Sequence, residues 1–136
     1  MEKSSYQGLL VWQKAMELTI VIYKLVKKLP KEELYSLSDQ MRRAAVSIPC
    51  NIAEGQDRNT KKEFSQFLTM ARGSKTELET QLLICVKVGY LTETEISEAM
   101  KLSTEIGRML TSFINKLKIV VRGQLSVVRK NMKTEN

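Results

Sequence analysis

The sequence of 136 residues contains no histidine, and this absence excludes more chemistry than any other feature of its composition. Ser-His-Asp triads, Cys-His pairs and His-ligated zinc sites all need an imidazole, and helical di-iron sites need a Glu-x-x-His pair on each of two helices. The 2 cysteines, Cys50 and Cys85, are too few for a zinc site or for a disulfide framework. We therefore expect two reduced thiols in the core, and no metal or cofactor.

Residues that form turns are also scarce, because the chain has only 2 prolines and 6 glycines. A sandwich or barrel needs many tight turns, so long helices are expected instead. The length suits one domain, and 43% hydrophobic and 27% charged residues are typical of a folded, soluble protein. The amino terminus shows no apolar signal core, and Lys24 interrupts the most hydrophobic stretch, residues 18–26. We expect a cytoplasmic protein without a membrane partner.

Apolar residues in the first part of the chain recur every three or four positions, which predicts a helix that ends at Pro30. A second apolar row makes its hydrophobic surface broad, so we expect either a central helix or a helix with a second contact to another subunit. The first row consists of Leu9, Trp12, Met16, Ile20, Tyr23 and Val26.

Three further helices follow from the same spacing and from their end signals. The second is predicted from a cap at Ser36 or Ser38 to Gly55, with a kink or short break caused by Pro49. The third begins at the capping-box pair Thr60 and Glu63 and ends at Gly89, and the fourth begins at a similar pair, Thr92 and Glu95. Within the third helix, Gly73 and Ser74 indicate a close approach of another helix.

Short connections between these helices predict an all-α fold, an antiparallel up-down-up-down four-helix bundle over residues 1–118. Residues 119–136 form a short basic C-terminal tail. Its apolar segments flank Gly123 and Gln124, a pattern compatible with a hairpin or with a frayed extension of the helix.

Basic residues exceed acidic ones by 22 to 15, and the last 18 residues carry 4 basic residues against 1 acidic residue. The run from Lys116 to Lys133 therefore predicts salt-sensitive binding of nucleic acid, with a solubilising tail as the alternative. A second basic group lies on the second and third helices, where acidic neighbours favour solvated faces and internal ion pairs. That group consists of Arg42, Arg43, Lys61, Lys62, Arg72 and Lys75.

Polar residues near the apolar stripes of helices two and three form another candidate set. They are interpreted as a half-buried network that fixes helix register, with a binding site as the alternative. A small enzyme that uses Glu54 or Glu77 as a general base is disfavoured, because no nucleophile or metal set accompanies them. The set consists of Gln40, Arg43, Asn51, Glu54, Ser74 and Glu77.

Two longer strings carry a family resemblance. Residues 10–18 read Leu-Val-Trp-Gln-Lys-Ala-Met-Glu-Leu, and residues 47–55, within a match over 40–55, read Ser-Ile-Pro-Cys-Asn-Ile-Ala-Glu-Gly. With shorter matches as far as residues 108–110, the chain resembles, over about residues 8–118, the four-helix bundle proteins encoded in intervening sequences of 23S ribosomal RNA genes.

The resemblance implies a homopentameric, barrel-like ring with a basic surface. No activity is established for the intervening-sequence members. A related branch, the accessory variability determinants (Avd) of diversity-generating retroelements, binds a reverse transcriptase and its template RNA. The matched strings do not reach the tail after Lys118, so both branches stay open.

We expect a non-enzymatic, ring-forming protein similar to Avd that holds RNA or DNA through phosphate contacts, with a reverse transcriptase as a candidate partner. The alternative is a structural oligomer of the intervening-sequence type that acts through protein–protein contacts. The candidate nucleic-acid-binding residues are Arg72, Lys75, Lys116, Lys118, Arg122, Arg129 and Lys130.

Overall fold

The computed structural model describes the backbone of residues 5–134 and the side chains of residues 5–123. Short 3-10 turns lie at Tyr6–Gly8 and Lys31–Glu33, and residues 5–134 contain no β-strand. The predicted all-α, four-helix bundle is confirmed. Its helices are α1 (Leu10–Val26), α2 (Leu37–Gln56), α3 (Lys61–Lys87) and α4 (Glu93–Thr134).

Two ion pairs show that the first and last helices run antiparallel to each other. Between α1 and α4, Lys14 pairs with Glu105 at 3.0 Å and Lys28 pairs with Glu95 at 2.9 Å, so the residue numbers rise along α1 as they fall along α4. Each lysine lowers the pKa of its carboxyl partner by hydrogen bonding and charge. The helices pack in the cyclic order α1, α2, α3, α4, which places α1 and α3 at opposite corners.

The core takes one apolar face from each helix, but on α1 it is not the face that the first apolar row suggests. Met16, Ile20 and Tyr23 are 38%, 54% and 44% exposed. Of the first row only Val26 is buried, and the other buried side chains of α1 lie on the adjacent face: Val11, Ala15, Leu18, Ile22 and Leu25. Both rows have helical spacing, so spacing alone could not show which one faces the core.

Most of the helix ends follow the predicted signals, but Ser36, at the N-cap position of α2, makes no side-chain cap bond, and its hydroxyl donates to Glu33 instead. Gly89 has φ +86° after α3, and the Tyr90 N–H donates to the Cys85 carbonyl at 2.8 Å, the pattern of a Schellman cap. The Thr92–Glu95 pair forms a reciprocal capping box, with bonds of 2.9 and 3.1 Å. However, α1 ends at Val26, a full turn before Pro30.

Pro49 lies inside α2. Of its two predicted effects, a kink or a short break, the break does not occur, because α2 is continuous from Leu37 to Gln56. Proline has no N–H for the carbonyl one turn earlier, here that of Ala45. The Thr19 hydroxyl of α1 lies 3.2 Å from this carbonyl oxygen and 2.8 Å from that of Ala15. A neighbouring helix thus supplies a donor to the position that Pro49 leaves open.

The close helix approach predicted at Gly73 and Ser74 is wrong for Gly73 within the protomer, since a β-carbon there would meet nothing within 4 Å, although Ser74 contacts Ser47 of α2 at 2.8 Å. The close approach occurs at Gly55, where a β-carbon would lie 2.8 Å from Phe64 Cδ1 and from Phe67 Cβ. Cys50 is also corrected, because its side chain is exposed, whereas Cys85 is buried as expected.

The chain after Lys118 continues α4 as a helix, which is the second of the two alternatives for the tail. At 42 residues, α4 is about 63 Å long, and Leu117 is the last of its described side chains that is buried. The carboxyl end of α4 therefore projects beyond the core. None of the helices in residues 5–134 combines the length and the apolar character needed to cross a bilayer.

Candidate nucleic-acid interface

A groove of about 790 Å³ runs between α3 and α4, and the charged side chains that line it are mostly basic. Four cationic residues line it, against a single carboxylate, Glu79. The cations come from both walls: Arg72 and Lys75 from α3, and Arg108 and Lys116 from α4. Cations on both sides of one open groove form a site that attracts a polyanion.

The two basic side chains that α3 contributes both lie close to α4. The Arg72 guanidinium donates to Thr111 Oγ1 at 3.3 Å, which places it across the groove between Arg108 and Lys116. Lys75 Nζ donates to Glu79 Oε1 at 2.9 Å, and a β-carbon at Gly107 would lie 3.0 to 3.3 Å from the end of the Lys75 side chain. Gly107 thus provides the space in which Lys75 lies.

Hydroxyl and amide groups alternate with the cations along the same groove. These side chains are hydrogen-bond donors and acceptors that suit phosphate and sugar oxygens. They are supplied by Thr76, Thr104, Thr111, Ser112 and Asn115. The groove therefore offers charge and directional hydrogen bonds together.

The structure brings together three of the predicted binding residues, Arg72, Lys75 and Lys116. Lys118 and Arg122 lie two helical turns beyond Thr111 and Asn115, so they continue the groove-facing side of α4 past the end of the cavity, and both are exposed. The side chains of Arg129 and Lys130 lie outside the described residues, so their placement stays a prediction.

Arg108 is the groove residue that sequence reasoning missed as a binding residue. It is exposed and lines the groove one turn before Thr111. Arg108, Asn115 and Arg122 recur every two helical turns, which places them on one face of α4. That periodicity was the available signal, but the first part of the helix, residues 93–105, is acidic, with four glutamates against one lysine.

Only part of the predicted polar network forms. Asn51 is buried, and its Nδ2 donates to the carbonyl and hydroxyl oxygens of Ser47 at 2.8 and 2.9 Å. The Ser47 hydroxyl in turn lies 2.8 Å from that of Ser74, which joins α2 to α3. These three residues fix the register of two helices, as the structural interpretation expects.

The other members of that set lie apart from this cluster. Gln40 and Glu54 are exposed, and Arg43 is exposed and pairs with Asp39 at 3.0 Å on its own helix. Glu77 is exposed on α3 and accepts a bond from Gln81 at 3.4 Å. Ser47, which the predicted set does not include, links Asn51 of α2 to Ser74 of α3.

Two exposed apolar stripes lie on opposite corners of the bundle. The α1 stripe is formed by Met16, Ile20 and Tyr23, and the α3 stripe by Ile84 and Val88, one turn apart near the end of α3. Because α1 and α3 each pack between α2 and α4, the two stripes face away from one another. A protomer with two different exposed apolar surfaces is suited to head-to-tail contacts.

With the fold and the groove established, comparison with known proteins identifies the family. Residues 7–112 match the sequence profile of the 23S rRNA-intervening sequence protein family. The chain belongs to this family. No curated protein matches the sequence.

A solved structure supports the assignment to this family. It is a protein of unknown function from the S23 ribosomal protein family of Bacteroides thetaiotaomicron, with 28% sequence identity and a TM-score of 0.72. The match covers 77% of this chain and 98% of that protein.

In this intervening-sequence protein, the string at residues 47–55 has a structural role. Ser47 contacts Ser74 and accepts from Asn51, and Pro49 leaves the Ala45 carbonyl open to the Thr19 hydroxyl. Gly55 leaves space for the Phe64 ring. None of the string's residues lines the α3–α4 groove. The signal that identifies the family thus reports helix packing and not the basic surface.

Proposed function

We propose that this protein is a non-enzymatic, nucleic-acid-binding accessory protein of the cytoplasm that holds RNA or DNA along the α3–α4 groove. The observation that carries the proposal is the convergence of Arg72, Lys75, Arg108 and Lys116 on one groove with a single carboxylate. Each phosphate that these side chains neutralise releases condensed counterions, which favours binding at low salt.

A binding role suits this groove better than catalysis. Its carboxylate, Glu79, is already paired with Lys75, and its hydroxyl groups have no base beside them. Phosphate contacts position a nucleic acid without reading its sequence. The proposed role is therefore to hold a structured RNA for another protein, and the resemblance to Avd makes a reverse transcriptase the proposed partner.

The two apolar stripes support assembly into a ring. A contact between the α1 stripe of one protomer and the α3 stripe of the next joins different surfaces, and such a contact closes into a ring when the rotation permits. The resemblance to the family makes a homopentamer the proposed closed state. In that ring, the grooves of the five protomers would repeat around the assembly.

The proposal is tested by measuring the affinity for a structured RNA hairpin by fluorescence anisotropy across a salt series. We expect tight binding at low salt and a linear fall of log K with log salt, with a slope of about −0.9 per phosphate contact. The absence of binding at low salt, or binding that does not depend on salt, would contradict the proposal.

The second candidate is a structural oligomer of the intervening-sequence type that acts through protein–protein contacts alone, and the exposed stripes favour it independently of the groove. Light scattering distinguishes the two. An Ile20→Asp substitution in the α1 stripe should break the oligomer into protomers, and the second candidate gains if the oligomer forms but RNA neither binds nor changes its mass.

A further inference from the structure

A second cavity of about 490 Å³ opens beside the α3–α4 groove, between the start of α1 and α4. Most of its lining is apolar and comes from Leu9, Leu10 and Val11 together with Met109 and Phe113. We call it the apolar cleft. Its volume lies within the range of sites that bind small molecules or single ring systems.

The apolar cleft and the basic groove share a wall. Arg108, Ser112 and Lys116 line both cavities, so two cationic side chains and a hydroxyl stand at the boundary between them. Any phosphate that contacts Arg108 or Lys116 in the groove therefore lies at the entrance of the cleft.

The charges at the entrance determine which occupant fits. No acidic residue lines the apolar cleft, so a purely apolar segment would cover Arg108 and Lys116 without neutralising them. The matching occupant has an apolar body and a negative charge at its edge. A nucleotide has this form, because its base presents a flat, weakly polar face and its phosphate carries the charge.

We propose that the apolar cleft receives an unpaired base of the bound RNA while Arg108 and Lys116 hold the adjoining phosphates. The inference rests on the proposed function and adds to it the class of RNA that this site prefers. The Phe113 ring, which packs edge-to-face with Phe64 at 5.0 Å, supplies an aromatic wall, and Ser112 Oγ is a polar group within reach of a base edge.

Occupation of the cleft makes the protein distinguish between RNA structures. A base in a perfect duplex is stacked and paired, so it enters the cleft only after unpairing, whereas a bulged or single-stranded base is already free. Bulged RNA should therefore bind more tightly than a smooth duplex of the same length and charge.

The test compares three RNA hairpins in fluorescence anisotropy: one with a single-base bulge, one without the bulge, and one with an abasic sugar at the bulge. We expect the full-length wild-type protein to bind the first about 5-fold more tightly than the other two, the lower end of what one stacked base contributes. The abasic probe keeps the bend and the extra phosphate, so it isolates the contribution of the base.

Leu10→Ser is the variant that probes the cleft, because Leu10 lines it and is 58% exposed, so its loss leaves the core intact. It should bring the bulged-to-smooth ratio close to 1 and leave the affinity for the smooth hairpin unchanged. Leu83→Ser is the matched control, since Leu83 is 49% exposed and lies outside the cleft and the groove, and it should keep the preference.

Two results would overturn the inference: equal affinity for the abasic and base-bearing bulges, or an undiminished preference in Leu10→Ser. A preference for the bulge that persists while an acidic, apolar peptide occupies the cleft would assign the cleft to a protein segment instead. In each case salt-dependent binding of the smooth hairpin leaves the proposed function standing, and only its loss in the wild-type protein removes both.

Discussion

At the scale of single residues, two glycines within helices have opposite roles. Gly55 is buried where α2 meets α3, and Gly73 is exposed with no atom in reach of an added β-carbon. Neither has a positive φ, so alanine is compatible with the backbone at both positions. The difference between them is therefore one of space alone.

Gly55→Ala should lower the free energy of unfolding by about 1 to 3 kcal/mol, because its methyl group would overlap Phe64 and Phe67. Gly73→Ala, the control, should raise the free energy of unfolding by about 0.5 to 1 kcal/mol through helix propensity. Urea denaturation measures both. A Gly55→Ala protein as stable as the wild type would show that the two phenylalanines can move aside.

Glu79 is the residue that most directly opposes anion binding in the groove, since it occupies the Lys75 ammonium. Glu79→Gln should free that ammonium for phosphate and tighten RNA binding several-fold, with a salt slope steeper by up to about 0.9. Glu77→Gln is the control with the same change in charge, because Glu77 lies outside the groove. Equal effects in the two variants would mean that only net charge matters.

The identity of the helices and their ends could be predicted from these residues, because caps and stop signals act locally. Thr92, Glu95 and Gly89 form the predicted contacts. The roles of Gly55, Gly107 and Arg108 depend on what lies across from them in another helix, which spacing within one helix does not reveal. For the same reason, the spacing within α1 could not show which of its faces packs into the core.

At the scale of helices, Thr19 of α1 and Pro49 of α2 form a compensating pair. The Thr19 hydroxyl lies 3.2 Å from the Ala45 carbonyl, which lacks its usual donor because residue 49 is proline. Thr19→Val should therefore cost about 1 kcal/mol or more, since it leaves a part-buried carbonyl unpaired.

A double-mutant cycle tests this pairing. In a Pro49→Ala background the backbone N–H of residue 49 can bond to Ala45, so Thr19→Val should cost measurably less there than in the wild type. Thermal or urea unfolding of the four proteins gives the coupling energy. Additive effects would show that Thr19 does not compensate for the proline.

At one end of the bundle, the Glu33 carboxylate links the α1–α2 connection to the α3–α4 connection. Glu33, in the turn between α1 and α2, accepts from the Ser36 hydroxyl at 2.6 Å and from the Tyr90 hydroxyl, beyond α3, at 2.7 Å. The Ser36 bond, and then the Tyr90 bond, lowers the pKa of Glu33. The same contact with Glu33 raises the pKa of Tyr90.

Because the folded state lowers this pKa, the stabilisation is present at neutral pH and is lost as the pH falls through the lowered value. Between about pH 6 and pH 3, the wild type should lose more stability than Glu33→Gln. Glu32→Gln, a change at its exposed neighbour, should lose as much as the wild type. Parallel pH profiles for the wild type and Glu33→Gln would contradict this role.

At the scale of the whole molecule, the apolar and the basic surfaces of the bundle lie on different sides. The apolar stripes lie on the outer corners of α1 and α3, and the basic groove lies on the side formed by α3 and α4. The proposed assembly through the corners would therefore leave the groove side for the proposed nucleic acid. The projecting end of α4 continues that basic side with Lys118 and Arg122.

The most direct test of the account is the salt dependence of RNA binding after the groove cations are removed. The triple variant Arg72→Ala, Arg108→Ala and Lys116→Ala should bind RNA weakly, with a slope of log K against log salt shallower by about 2 to 3. The control removes three exposed lysines from other places, Lys24, Lys31 and Lys87. It should keep nearly the wild-type slope, and equal losses in the two triple variants would contradict the assignment of the groove.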